Sequence, residues 1–327
     1  MTATTASDAQ PVVLTTGADD RLLTERLAGW LADRPGGAVD DPAWLTTVRR
    51  AWPELPAGLI TGVREFRRDS GPTGTMVIRG LPVGEESLPP TPSRPGSVQR
   101  EPTLGPAVLT LIASGLGDPG AFRAEKSGAI VQDVVPVPGK EEDQSNAGSV
   151  RLSFHTENAF HPHRPDFVLL LCVRADHERV AELRTACVRQ VLPLLTEESR
   201  EALFSREFVT APPPSFGAHS GSTEPHAVLY GAPDDPDLCV DLAATEPLTE
   251  RARAATAELG RLFERTAQGV HLVPGDLAIV DNRVTVHGRS SFRPRYDGRD
   301  RWLQRTFVFT DLRRSRGYRL NDGHVLD

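Results

Sequence analysis

At 327 residues, 39% of them apolar and 25% charged, the chain is long enough to bury a substantial core, while 28 glycines and 28 prolines imply many turns. A net charge of −7 and a pI near 5.8, without a sustained Lys/Arg cluster, exclude nucleic acid or an anionic membrane surface as the expected partner. The longest apolar runs, such as residues 167–173, fall far short of a membrane span, and residues 1–10 lack the basic and apolar regions of a signal peptide, so a cytoplasmic protein is expected.

Residues 20–32 place Leu22, Leu23, Leu27, Trp30 and Leu31 at helical spacing, and residues 41–52 follow with Pro42, Trp44, Leu45 and Val48. Residues 1–60 therefore read as a helical N-terminal decoration. Residues 75–81 read as a strand, the Pro/Gly/Ser-rich stretch 82–102 as a surface loop, and 105–115 as an apolar helix. From there on, short β-branched segments recur at 129–137, 150–155, 166–173, 227–230, 238–242, 277–280, 284–287 and 302–310. That density predicts a mainly β fold with flanking helices, a jelly-roll barrel interrupted by helices at 181–195 and 246–267. Leu248, Ala255, Leu259, Leu262 and Phe263 give the second of these its helical spacing. With no internal repeat and no cleanly dividing linker, one domain over 1–327 is expected. Residues 211–225 are rich in Pro, Ser and Gly without apolar periodicity, and read either as an active-site lid or as an inert surface loop.

Cys172, Cys187 and Cys239 are odd in number and widely separated, which suggests neither a disulfide framework nor a thiolate metal site. Any metal must rest on nitrogen and oxygen. His155 and Glu157 follow a predicted strand two residues apart, so both can face inward to one ion, and His287 ends a later strand with the same inward aim. Two imidazoles and one carboxylate fill three of six octahedral positions and leave three for a bidentate cosubstrate and dioxygen, the arrangement that marks iron(II) oxygenases. The plainer alternative is a pair of buried core histidines.

After His287, the segment around Arg301 alternates, so Arg301, Leu303, Arg305 and Phe307 share a face. If that face lines the barrel, two guanidinium groups enter an apolar interior and each calls for an anion. One suits the distal carboxylate of 2-oxoglutarate and the other the carboxylate of an amino-acid substrate, unless both serve internal salt bridges. His161 and His163 flank Pro162 and read as loop residues; His219, His226 and His271 offer no metal spacing.

These residues resemble the clavaminate-synthase-like oxygenases that hydroxylate free amino acids, and within them the bacterial L-asparagine 3-hydroxylases. The resemblance runs through residues 66–72, 117–122, 131–136, 158–161, 183–187 and 241–247, and from 280–283 to 312–314; about the first 60 residues and the extreme C-terminus diverge. It implies a double-stranded β-helix (jelly-roll) core and Fe(II) held by His155, Glu157 and His287. It further implies that Arg301 ties down 2-oxoglutarate, Arg305 grips the substrate α-carboxylate, Glu125 faces the α-ammonium group, and Asn146 with Asp241 lies near the side-chain amide. Asp241 can accept from an amide NH2 but would repel a second carboxylate, which favours asparagine over aspartate. Thr156 stands where the nearest relatives are expected to carry asparagine, with its side chain expected to point away from the metal.

The implied reaction consumes O2 and 2-oxoglutarate, releases succinate and CO2, and yields threo-3-hydroxyasparagine, with a functional link to nonribosomal peptide synthetases. The alternatives are the same chemistry on arginine or a cyclic arginine derivative, and a non-catalytic jelly-roll that binds a metabolite.

Overall fold

The computed structural model describes residues 9–33, 37–216 and 221–327. Thirteen strands form its two main sheets: β1 (Val12–Thr15), β2 (Thr75–Arg79), β3 (Val98–Gln99), β4 (Asp118–Phe122), β5 (Val131–Val134), β6 (Leu152–His155), β7 (Phe167–Arg174), β8 (Glu182–Cys187), β9 (Gln268–His271), β10 (Leu277–Asp281), β11 (Thr285–Arg289), β12 (Trp302–Phe309) and β13 (Val325–Leu326). The helices are α1 (Ala18–Ala32), α2 (Pro42–Ala51), α3 (Ala57–Arg68), α4 (Leu104–Leu116), α5 (Val188–Val191), α6 (Glu197–Leu203) and α7 (Glu250–Thr266). None is long and apolar enough to cross a membrane.

A nine-stranded sheet runs β1-β2-β10-β7-β12-β4-β13, with β5 also on β12 and β3 on β5; a four-stranded sheet runs β9-β8-β11-β6. Together they make the jelly roll. Alternation along the strands divides the core in two. Met76, Ile78, Leu169, Leu171, Leu277, Ile279 and Val308 face outward and pack on α1 to α4, while Val77, Val168, Leu170, Cys172, Ala278, Val280, Leu303 and Phe307 face into the barrel. The small sheet does the same: Phe154, Ala186 and Val286 turn outward onto Ala255, Leu259 and Phe263 of α7. His155, Thr185 and His287 consequently turn inward.

The helices start where local chemistry favours it. Asp41 caps α2 through the amide of Ala43, with Pro42 at the first position, and Thr249 caps α7 through the amide of Ala252.

Four expectations need correction. Residues 181–195 are not one helix, because Glu182–Cys187 is strand β8, hydrogen-bonded on both sides by β9 and β11, and only Val188–Val191 turns α-helical. A two-sided ladder outweighs the helical propensity of that stretch. The N-terminal 60 residues are not wholly helical, since β1 pairs in parallel with β2 at the sheet edge. The strand expected at 238–242 ends at Leu238 in a hairpin with Leu229–Ala232; beyond it the chain runs on beside β6. The helix expected from 246 begins at Glu250, because Thr245–Pro247 pairs with Phe208–Thr210.

Candidate active site

The histidines face each other because of sheet register: His287 on β11 lies directly opposite His155 on β6, and their rings sit 4.3 Å apart, tilted by 47°. Glu157 follows two residues after His155 on the same side. Its Oε2 lies 3.3 Å from His287 Nε2 and 3.9 Å from His155 Nε2. One donor atom from each of the three falls within 4.8 Å of the others. His155 Nδ1 is 3.0 Å from the carbonyl of Ser153; a carbonyl only accepts, so Nδ1 carries a proton and Nε2 is the nitrogen turned to the centre.

Charge states also suit a ligand set. Burial alone would raise the Glu157 carboxyl, but Arg305, the hydrogen bond from His287 and the charges of both histidines outweigh it and hold the group well below the usual carboxylate range. Burial, then His155, lowers the His287 imidazole against the pull of Glu157. A carboxylate is the form of Glu157 that binds metal. The three thiols are free and buried, and burial pushes Cys172 up to about 12 and Cys187 to about 11, so no thiolate competes.

Asn282, at the end of β10 and fully buried, fixes the backbone under Glu157. Its Oδ1 accepts from the Glu157 amide at 2.8 Å, and its Nδ2 donates to the carbonyls of Glu157 at 3.1 Å and Pro165 at 2.8 Å. Past β6, the Thr156 amide donates to Val240 O at 2.7 Å, and the Val240 amide lies 3.2 Å from Thr156 Oγ1. This pairing sets Asp241 as an isolated bridge partner of His155.

A cavity of ≈ 440 Å³ is lined by His155, Glu157, Glu125, Asn146, Asp241 and Arg305, together with residues 211–213 and Phe216. Arg305 is its electrostatic centre. Its Nη1 donates to Glu157 Oε1 at 2.9 Å, and Nη2 donates to Glu125 and Gln132. The Asn146 amide, oriented with its oxygen toward Arg305, accepts from Nη1 at 2.9 Å and Nη2 at 3.2 Å. Two acceptors remain free. Glu125 Oε2 is buried without a partner, and Asp241 Oδ1 accepts from the Ala243 amide at 2.8 Å while Oδ2 makes no hydrogen bond among the described residues. Burial raises the Glu125 carboxyl against the pull of Arg305, with Glu157 adding to the rise.

Arg301 does not line this cavity. It is buried beside Arg289 and stacks on Phe292, and burial lowers it; burial and Arg301 together push Arg289 down to about 9. His161 lies in a loop edge-on to Phe122 at 4.7 Å and accepts from the His163 amide, His163 packs on Tyr318, and His226 and His271 bond Thr210 and Glu182. His219 lies outside the described residues, as do four positions of the expected lid, 217–220. Sequence reasoning missed Gln132, Asn282 and Arg289. The first two act through contacts more than a hundred residues away, while Arg289 was in view two positions after His287, on its face of the strand.

A family model described as taurine catabolism dioxygenase TauD, TfdA family, matches residues 73–307. The L-asparagine oxygenase of Streptomyces coelicolor is 59% identical over 100% of this chain and 98% of its own length, and clavaminate synthase 2 of Streptomyces clavuligerus is 36% identical over 93% of each. Among solved structures, an asparagine oxygenase in complex with Fe(II), 2S,3S-3-hydroxyasparagine and succinate superposes with a TM-score of 0.94 at 60% identity, covering 96% of this chain and 98% of that one. Barrel topology, an inward-facing His/Glu/His set and similarity along the whole chain agree: this chain belongs to the TauD/TfdA dioxygenase family.

Proposed function

We propose that this dioxygenase hydroxylates the β-carbon of free L-asparagine, with Fe(II) held by His155, Glu157 and His287 and 2-oxoglutarate as cosubstrate anchored by Arg301. The observation that carries this reading is the match of the cavity to the substrate's polar groups. One guanidinium (Arg305) and two carboxylate oxygens without a hydrogen-bond partner among the described residues (Glu125 Oε2, Asp241 Oδ2) meet one carboxylate, one ammonium and one amide NH2. The full-length similarity to an L-asparagine oxygenase supports the same substrate.

Two imidazole nitrogens and a carboxylate form a donor set that suits iron(II) and leaves sites open. When bound, iron with 2-oxoglutarate supplies an oxidant by coupling O2 reduction to decarboxylation of the cosubstrate to succinate and CO2. The chain's own part is positioning and exclusion. Arg305 turns from Glu125 and Glu157 to the α-carboxylate, and Glu125 Oε2 takes the ammonium group. Asp241 Oδ2 accepts from the amide NH2 while Asn146 donates to the amide oxygen. Held at both ends, the substrate presents its β-carbon to the ligand set. Residues 211–213 and Phe216 line the cavity, Phe216 packing on Phe160 at 4.6 Å and on Phe122 at 5.8 Å, and this wall keeps water from the reacting centre. The product is threo-3-hydroxyasparagine. The protein acts in the cytoplasm, without a nucleic-acid or membrane partner, and supplies nonribosomal peptide assembly.

The test is mass spectrometry after incubation with Fe(II), 2-oxoglutarate, O2 and single amino acids. Asparagine is expected to gain one oxygen atom with matching succinate. Preference for arginine would overturn the substrate, and absence of succinate with every amino acid would overturn the cosubstrate.

A further inference from the structure

Beyond the His/Glu/His set, each sheet sends an arginine into the barrel. Arg289 stands two residues after His287 on β11, and the strand period puts it on the same inner face. Arg301 directly precedes β12, in step with Leu303 and Arg305. The two are 4% and 6% exposed. The ring of Phe292 lies against both, its centroid 5.3 Å from Arg289 Cζ and 5.7 Å from Arg301 Cζ. Arg289 Nη2 donates to the carbonyl of Val150 at 2.8 Å, but its Nε is buried without an acceptor. No described carboxylate stands within ion-pair distance of either arginine; Asp176, whose charge reaches Arg301, has its two oxygens taken by the amides of Val180 and Ala181.

Two neighbouring cations buried without a counterion repel each other and forgo hydration, an arrangement that persists where an anion joins them. A carboxylate offers about four acceptor directions, of which a single planar guanidinium fills two. We infer that Arg289 is a second guanidinium for the distal carboxylate of 2-oxoglutarate, its free Nε–H donating beside the paired donors of Arg301, so that one arginine from each sheet reads the cosubstrate. The inference rests on the reading of 2-oxoglutarate as cosubstrate. Its consequence is selectivity: an oxo acid lacking the distal carboxylate leaves two guanidinium groups without an anion.

The test is calorimetric binding to the Mn(II)-loaded protein, anaerobically, of 2-oxoglutarate and of 2-oxopentanoate, which has the same chain without the distal carboxylate. Arg289→Met is expected to weaken 2-oxoglutarate roughly 10- to 100-fold, as for loss of one charged hydrogen bond, and to leave 2-oxopentanoate unchanged or tighter. Arg289→Lys, which keeps the charge but not the planar fork, is expected to give a smaller loss with the same selectivity, and serves if the Met variant does not fold. Equal weakening of both acids would make Arg289 a structural clamp on Val150 and Phe292 and overturn the inference. So would unchanged 2-oxoglutarate binding in Arg289→Met when Arg301→Met abolishes it, an outcome that leaves the proposed function standing. Failure of the unmutated protein to bind 2-oxoglutarate would remove that function itself.

Discussion

Replacing Asn282 with Ala removes the three hydrogen bonds that fix the backbone of Glu157 and Pro165, at a residue with no solvent exposure. The amide of Glu157 and two carbonyls then lose their side-chain partner in a dry interior. At roughly 1–3 kcal/mol for each buried polar group left unsatisfied, with some relief from a water entering the space, the loss sums to about 3–5 kcal/mol. Asn282→Asp is expected to be at least as harmful, because its second oxygen would face the two carbonyls where Nδ2 now donates. Urea unfolding of the metal-free protein, followed by far-UV circular dichroism, measures both. Since Glu157 hangs from this clamp, Fe(II) affinity should fall with it by roughly 10- to 100-fold, as for other groups that orient metal ligands. A loss below about 1 kcal/mol in Asn282→Ala, with unchanged iron affinity, would refute the reasoning and mean that water replaces the side chain without penalty.

Asp241→Asn exchanges the acceptor Oδ2 for a group that tolerates an anion, so the aspartate-to-asparagine ratio of kcat/KM should rise by roughly 10²-fold or more, the size expected for relieving a like-charge contact near a protein surface; an unchanged ratio would remove Asp241 from the substrate site. A Cβ at Gly288 would lie 2.5 Å from the backbone oxygen of Leu152, forcing apart the strands that carry His287 and His155. Gly288→Ala should therefore lower stability by about 2–3 kcal/mol and weaken iron binding, both readable by denaturation and metal titration. Burial, then the charge of His163, lowers His161 to about 4 from its usual 6.5, so below pH 6.5 the unfolded chain takes up this proton before the folded one does. Stability from this group is present above 6.5 and is lost as pH falls toward 4. Allowing for partial solvent screening, the unmutated protein should lose about 1–2 kcal/mol more over that window than His161→Asn, which keeps an acceptor for the His163 amide. Equal acid sensitivity of the two proteins would contradict this.

The barrel was legible from the sequence where one strand decides its own faces. The alternation at 302–310 foretold that Arg305 and Phe307 point inward with Leu303, and the two-residue spacing of His155 and Glu157 foretold a shared side. Strand β8 was not legible in the same way. Its residues suit a helix as well as a strand, and only β9 and β11 on either side decide between them. Asp241 was singled out from the resemblance, but its position opposite His155 comes from a bridge made after the chain has left its hairpin. The roles of Gln132 and Asn282 rest on partners distant in sequence, which no local pattern encodes.

The bond between Arg305 and Glu157 ties two binding events together. A dication arriving at Glu157 comes up against the guanidinium, whereas a carboxylate arriving at Arg305 neutralises that guanidinium and frees the glutamate. With iron on Glu157 and the α-carboxylate on Arg305, as proposed, the two ligands would favour each other through one shared hydrogen bond, and linkage would make the benefit equal in both directions. Metal affinity should rise when the amino acid is present, and by the same factor the amino acid should bind more tightly to the metal-loaded barrel than to the bare one.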